Sequence, residues 1–264
     1  MAMRTDPQVL VVAGSDSSGG AGIVRDIETL AAFGLRACVA VTAVTVQTHD
    51  EMRAIQPMPA DLVAAQMRAA FENLVAAAKI GMLGTTEAVE AVASVLRERA
   101  SVPVVLDPVL AASSGRALAD GEALAALKHT LLPLCSVVTP NLPELAMLTG
   151  TQEAVDEQDI VEQAGVLLDA GAPAVLAKGG HATGDQSVDL LLRPGFPPLR
   201  FTARRLNAKL RGSGCMLASA LAAGLAVGAP LEEAAHDARR HVLRQLHRHV
   251  SGSGASEHET ISQC

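Results

Sequence analysis

The chain has 264 residues and 49% hydrophobic composition, with 21 Lys plus Arg against 28 Asp plus Glu and a formal net charge of −7. That length suits one large α/β domain with a continuous core, and an acidic balance without a basic stripe excludes electrostatic capture of nucleic acid. Trp and Tyr are absent and Phe occurs four times, which removes the stacking platforms that bind single strands.

Four cysteines, Cys38, Cys135, Cys215 and Cys264, lie far apart with no CxxC and no histidine at zinc-ligand spacing, a pattern expected of a reducing cytoplasm. The basic run RRHVLRQLHRH near the end reads as a local solvated helix face. No apolar run approaches the ~20 residues that cross a bilayer. The N-terminal segment leads from a strand into a glycine loop without the charged start and cleavage site of a signal peptide. The expected location is therefore cytoplasmic, with no membrane partner.

In chain order, strands are predicted at residues 8–14, 37–44, 77–82, 102–108, 135–140 and 173–180, and helices at 21–34, 59–75, 85–99, 120–131, 142–149 and 156–170. This alternation of short β-branched runs with alanine-rich amphipathic stretches is that of βαβ units. It predicts an α/β fold, a mostly parallel central sheet with helices on both faces. After residue 180 the pattern changes: QSVDLLL and LRFTARRL, separated by RPGFPP, predict a small edge hairpin. Helices at 215–228 and 231–249 complete a single domain over residues 1–250, and the Gly- and Ser-rich segment 251–264 reads as a disordered tail.

Ligands of an open parallel sheet sit beyond the carboxyl ends of its strands, so the strand exits carry the functional signal. The first, AGSDSSGGAGI, matches neither the dinucleotide fingerprint nor the P-loop, and a tight turn explains it equally well. The second carries Gln47, whose amide can offer one donor and one acceptor to the edge of a heterocycle; a solvated loop glutamine is the commoner outcome. Asp107 ends VVLDP and Glu144 follows VTPN, so two carboxylates should converge at one rim, as they do where Mg²⁺ is held beside phosphate oxygens. Glu144 also fits a plain helix-capping role. Lys178 in AKGGH adds a cation, and beside two carboxylates it suggests phosphate chemistry.

RGSGC precedes the apolar stretch MLASALAAGLA. The N–H groups of Gly212, Ser213, Gly214 and Cys215 are then expected to face a common centre at the positive end of a helix dipole. That is an anion hole suited to a transferring γ-phosphoryl. The same dipole is expected to lower the Cys215 thiol below its free value of about 8.5 and make it a base. A small buried hydrophobe at a helix start is the competing reading.

The segments VAGSDSSGGAGIVRDIETLAAFG, TAVTVQ, KIGMLG, VVLDPV, VTPNLPE, KGGH and GSGC occur in an order and spacing that resembles the ribokinase-like superfamily. More narrowly, residues 8–228 are similar to the hydroxymethylpyrimidine and phosphomethylpyrimidine kinases of thiamine biosynthesis. The resemblance implies ATP as donor, Mg²⁺, and 4-amino-5-hydroxymethyl-2-methylpyrimidine or its monophosphate as acceptor, handled by a homodimer. It implies that Gly14, Asp26, Gln47, Met82 and Val109 line the pyrimidine pocket and that Asp107 and Glu144 serve the metal. Lys178 would neutralise phosphate charge, and Cys215 would take the hydroxymethyl proton. The chain departs from the family's NTHGTGC: it reads AKLRGSGC, one residue short before the glycines, with Arg211 in place of His. Two alternatives accompany this reading, a pyridoxal kinase of the related Cys type and a non-catalytic pyrimidine-phosphate sensor on the same fold.

Overall fold

The computed structural model describes residues 7–111, 118–179, 185–206, 208 and 210–254. Strand β1 (Gln8–Asp16) sends Val9, Val11 and Ala13 to one side and Leu10 and Val12 to the other, and both sets are buried. A strand apolar on both faces belongs inside a parallel sheet. Accordingly β1 pairs in parallel with β2 (Arg36–Gln47) and with β4 (Val75–Ile80).

Among the described residues the sheet has nine strands in the order β3-β2-β1-β4-β5-β6-β7-β8-β9. The parallel series continues through β5 (Val104–Leu106), β6 (Val137–Val138) and β7 (Val175–Lys178). The hairpin expected after residue 180 is present as β8 (Gln186–Leu192) and β9 (Leu199–Arg204), antiparallel at one edge. The other edge is β3 (Met52–Pro57), antiparallel to β2 and not expected from the sequence. Four of its six residues are exposed and it ends in proline, so neither an apolar run nor alternation marks it; backbone pairing to β2 holds it.

Helices cover both faces. On one lie α1 (Gly22–Ala32), α7 (Ser213–Ala226) and α8 (Leu231–Gly254), packed on Val9, Val11, Val105 and Val137. On the other, α2 (Ala60–Ala70), α3 (Thr86–Arg97), α4 (Gly121–Ala126), α5 (Leu142–Thr149) and α6 (Glu157–Asp169) pack on Leu10, Val12, Ile80 and Leu106. The helix expected over 120–131 continues α4 as one π turn, Leu127–Leu131, and one 3₁₀ turn, Leu132–Leu134; Pro133, which cannot donate into a ladder, stands where the helix gives out. Helix α8 runs to Gly254, beyond the expected end at 249, and the remainder of the expected tail, 255–264, lies outside the described residues.

Strand parity has one consequence for function. In β4, Ala78 and Ile80 face α2 and α3 while Ala77 faces α7, so alternation points Lys79 toward α1 and α7. A fully buried lysine is thereby delivered beneath the carboxyl ends of the central strands.

Candidate active site

Strand β5 stops at Leu106, so Asp107 is the first residue past its carboxyl end, and β7 ends on Lys178. Their side chains meet: Lys178 Nζ donates to Asp107 Oδ1 at 2.9 Å and lies 3.7 Å from Glu144 Oε2. Glu144 reaches this point from the first turn of α5. There Asn141 Oδ1 accepts from the Glu144 N–H at 2.8 Å, and Glu144 Oε2 accepts from the Asn141 N–H at 2.9 Å. The two expected roles of Glu144, cap and rim carboxylate, thus coexist. Two carboxylates converge here as expected, with one ammonium between them.

Helix α7 closes the site from the opposite side. Gly212 takes a left-handed conformation, φ 69°, immediately before the first turn, and a side chain at Gly214 would stand 3.1 Å from Lys178 Nζ and 3.7 Å from Asp107 Oδ1. Only a glycine leaves the helix start open toward that pair. The N–H groups of Gly214 and Cys215 lie in the first turn, where a helix supplies no acceptors of its own. Ser213 departs from expectation: its N–H donates to Leu210 O at 3.3 Å and is turned away from the common centre.

Beneath the first turn lies a charged group that the sequence reading placed differently. Asp26, expected to line the pyrimidine pocket, is fully buried: its Oδ2 accepts from Lys79 Nζ at 3.1 Å and its Oδ1 from Ser219 Oγ at 2.7 Å. The helical spacing of α1 turns it into the sheet, so it supports the floor of the site instead of touching an acceptor. Lys79 is also 4.0 Å from Asp107 Oδ2. Burial works against its charge, but the carboxylates of Asp26 and Asp107 prevail and hold its pKa above the ordinary lysine value. The same balance holds Lys178 protonated, through Asp107 and Glu144. Asp107 is kept below the usual carboxylate range: burial works against its charge, but Lys178 and Lys79 outweigh it. Sequence reasoning missed Lys79 and Ser219; the available signal was a lysine inside the apolar strand VAAAKI.

The thiol corrects a second expectation. Burial pushes the Cys215 pKa up to about 12; Lys79 opposes this, Asp26 and Asp107 add to it, and the Gly22 N–H favours the thiolate. Desolvation together with two nearby carboxylates exceeds what one helix dipole supplies. In the protein alone Cys215 is a thiol in the first turn of α7.

The other expected pocket residues assemble on the β1–β4 side. Met82, just beyond β4, packs with Ala43, Met52 and Leu118, and Val109 lies against the same cluster. A side chain at Gly14 would run into Met82 Cε, so the thioether tip packs directly on the Gly14 backbone. Gln47 ends β2 and pairs with Met52 of that cluster. Its backbone is fixed by Ser17, whose Oγ donates to Gln47 O at 2.8 Å and accepts from Gln47 N at 2.8 Å. Gly14, Gln47, Met82 and Val109 are therefore grouped into a mainly apolar wall with one amide at its edge. That wall suits a flat heterocycle, and a cation–carboxylate pair and a helix start lie beyond it.

An arrangement of ammonium, paired carboxylates and an open helix N-terminus is built for phosphoryl groups. Residues 16–258 match the family model described as phosphomethylpyrimidine kinase. The chain belongs to the phosphomethylpyrimidine kinase family. It is 43% identical over 250 residues to a hydroxymethylpyrimidine/phosphomethylpyrimidine kinase of Rhizobium meliloti, covering 94% of this chain and 92% of the relative. Among solved structures it resembles a phosphomethylpyrimidine kinase of Clostridium difficile, with TM-score 0.79, 30% identity, and 91% and 99% of the two chains covered. It also resembles a Staphylococcus aureus pyridoxal kinase in complex with AMP-PCP and pyridoxal, with TM-score 0.83, 31% identity, and 92% and 88% covered. These neighbours are ribokinase-like and bear out the expected fold class. Among the described residues no helix is long and apolar enough to cross a membrane.

Proposed function

We propose that this family member transfers the γ-phosphoryl of ATP to 4-amino-5-hydroxymethyl-2-methylpyrimidine and to its monophosphate, in thiamine biosynthesis. The observation that carries the mechanism is the packing of Gly214 against Lys178 and Asp107, which sets helix dipole, ammonium and carboxylate around one point beside the Cys215 thiol. The match to the phosphomethylpyrimidine kinase family model and the 43% identity to a named pyrimidine kinase support the pyrimidine acceptor over pyridoxal.

In this reading Gly14, Gln47, Met82 and Val109 hold the ring, with the Gln47 amide toward its polar edge. The N–H groups of Gly214 and Cys215, with Lys178, receive the transferring phosphoryl group. The small thiolate fraction of Cys215 takes the acceptor hydroxyl proton and becomes the thiol as the hydroxyl oxygen bonds to the γ-phosphorus and ADP leaves. The ATP role is supported by the neighbour solved with AMP-PCP. Mg²⁺ fits the donor set: three buried carboxylates, Asp26, Asp107 and Glu144, face two ammonium groups, Lys79 and Lys178, and the surplus negative charge lies at the rim, where Asp107 and Glu144 would hold the ion. Bound there, it would supply neutralisation of phosphate charge. We read the chain as a cytoplasmic single-domain protein acting as a homodimer, with the exposed Val44 and Val46 of β2 as the apolar strip a second copy would cover.

The test is product analysis by mass after incubation with ATP, Mg²⁺ and the pyrimidine alcohol, its monophosphate or pyridoxal in turn. Mono- and diphosphate of the pyrimidine are expected. Product from pyridoxal alone would replace the acceptor, and binding without any product would make the chain a sensor.

A further inference from the structure

Arg211, the residue that replaces the family's usual histidine, reaches away from the anion hole that it precedes. Its Nη2 donates to Asp16 Oδ2 at 3.1 Å, and its Nη1 donates to Ser18 Oγ at 3.1 Å and to Thr48 O at 2.8 Å. The guanidinium lies on Gly20, where a side chain would come within 3.3 Å of Nη1. The side chain is 19% exposed and Asp16 is 5% exposed, so this is a charge-assisted contact largely shielded from water. Asp16 in turn orders its own loop, since Asp16 Oδ1 accepts from Ser18 N at 2.9 Å and from Ser18 Oγ at 2.8 Å. Ser17, between them, fixes the backbone of Gln47 through its two 2.8 Å hydrogen bonds.

One guanidinium therefore joins three separate segments: the loop after β1, the turn after β2, and the loop that opens α7. The next residue, Gly212, presses on the first of these, and a side chain there would stand 3.1 Å from Ala21 Cα. We propose that Arg211 is a positioning residue that latches the acceptor-side loops, Asp16–Gly20 and Gln47–Asp50, to the start of the anion hole. The Gln47 amide is thereby registered against the phosphoryl-transfer point. Only a planar fork serves this purpose, because the acceptors are a carboxylate and a hydroxyl on one segment and a carbonyl on another, and a lysine offers one point charge. The inference rests on the acceptor role proposed above for Gln47, but its physical core, the coupling of two loops through one side chain, does not depend on the substrate.

The experiment compares unmodified protein, Arg211→Lys and Arg211→Ala by hydrogen exchange resolved to peptides and by steady-state kinetics. With Arg211→Ala, amide exchange should rise roughly tenfold or more in both 16–20 and 47–50 and stay unchanged in α3 and α8. Losing one shielded charge-assisted contact corresponds to that factor. Arg211→Lys should lie between. The acceptor KM should rise by about the same tenfold while the ATP KM stays within twofold, a split that general loosening would not produce. Unchanged exchange, loosening of only one of the two segments, or equal KM changes for both substrates would overturn the latch. If both segments loosen together but the unmodified protein phosphorylates no pyrimidine, the latch stands and the acceptor assignment falls.

Discussion

Lys178 Nζ lies 2.9 Å from Asp107 Oδ1 and 3.7 Å from Glu144 Oε2, so a single ammonium spans two carboxylates at the mouth of α7. The three groups come from the ends of β7 and β5 and from the first turn of α5, which the parallel order β5-β6-β7 brings side by side. Removing the ammonium leaves the transferring phosphoryl beside uncompensated negative charge. Lys178→Ala should lower kcat by on the order of 10² to 10³, the usual scale for one electrostatic stabiliser. Rapid-quench measurement of the first turnover reads this directly, and a loss of less than threefold would remove Lys178 from the chemistry.

The raised thiol of Cys215 gives a second expectation. With a pKa pushed up to about 12 by burial and by Asp26 and Asp107, the thiolate fraction at neutral pH is far below that of a free cysteine at ~8.5. In the protein alone, iodoacetamide labelling of Cys215 followed by peptide mass should be much slower than labelling of a free thiol at pH 8. It should still be climbing between pH 9 and 10. A plateau below pH 8 would reinstate the dipole-activated thiolate. Cys215→Ala should retain the fold and lose about 10²- to 10⁴-fold in kcat if Cys215 is the base for the acceptor proton.

Much of this was legible in the sequence, for identifiable reasons. The βαβ alternation gave the parallel strands because strands apolar on both faces carry a continuous signal, as in VLVVAG. Asp107, Glu144 and Lys178 could be placed at one rim because ligand positions in such sheets follow from topology alone. Edge strand β3 was invisible because it buries only Met52. Asp26 was misplaced because a loop motif does not tell which face of the following helix a carboxylate takes; that depends on Lys79 and Ser219, 53 and 193 residues away in sequence. The direction of the Cys215 shift was missed for a related reason. A helix start is readable from RGSGC, whereas the burial and the two carboxylates that outweigh its dipole exist only in the folded chain.

Glu144 should leave a mark on stability. Burial and the charge of Asp107 raise its pKa from 4.5 to about 7, against Lys178 and the Asn141 N–H. A carboxyl whose pKa is higher in the folded state binds its proton more tightly there. Its contribution is therefore full below about 4.5 and is lost as pH rises through about 7. Glu144→Gln, which keeps the shape without the charge, should gain in melting temperature relative to the unmodified protein as pH goes from 5 to 7.5, with little gain at pH 5. Scanning fluorimetry across that range checks it, and a constant difference between the two proteins would show that Glu144 titrates normally.

The contact between Gly14 and Met82 offers the sharpest test of the acceptor pocket. A methyl at Gly14 would meet Met82 Cε, the free end of a flexible side chain, so the fold can absorb Gly14→Ala by swinging the thioether tip. The tip belongs to the wall on which the ring is proposed to lie, with Ala43, Met52 and Leu118 packed beside it, so displacing it is expected to crowd the acceptor. Gly22 differs: it has φ 59°, and a side chain there would strike the carbonyl oxygen of Gly14, which is backbone and cannot swing away. Gly22→Ala should therefore lower the melting temperature, whereas Gly14→Ala should leave it nearly unchanged and raise the acceptor KM by roughly tenfold, the effect of about 1.4 kcal/mol. The decisive measurement is the double mutant. Met82→Ala removes the colliding tip, so adding Gly14→Ala in that background should change the acceptor KM by less than twofold, a strong departure from additivity. If the two changes instead multiply, Gly14 and Met82 act on the acceptor independently and do not form one surface of the pocket.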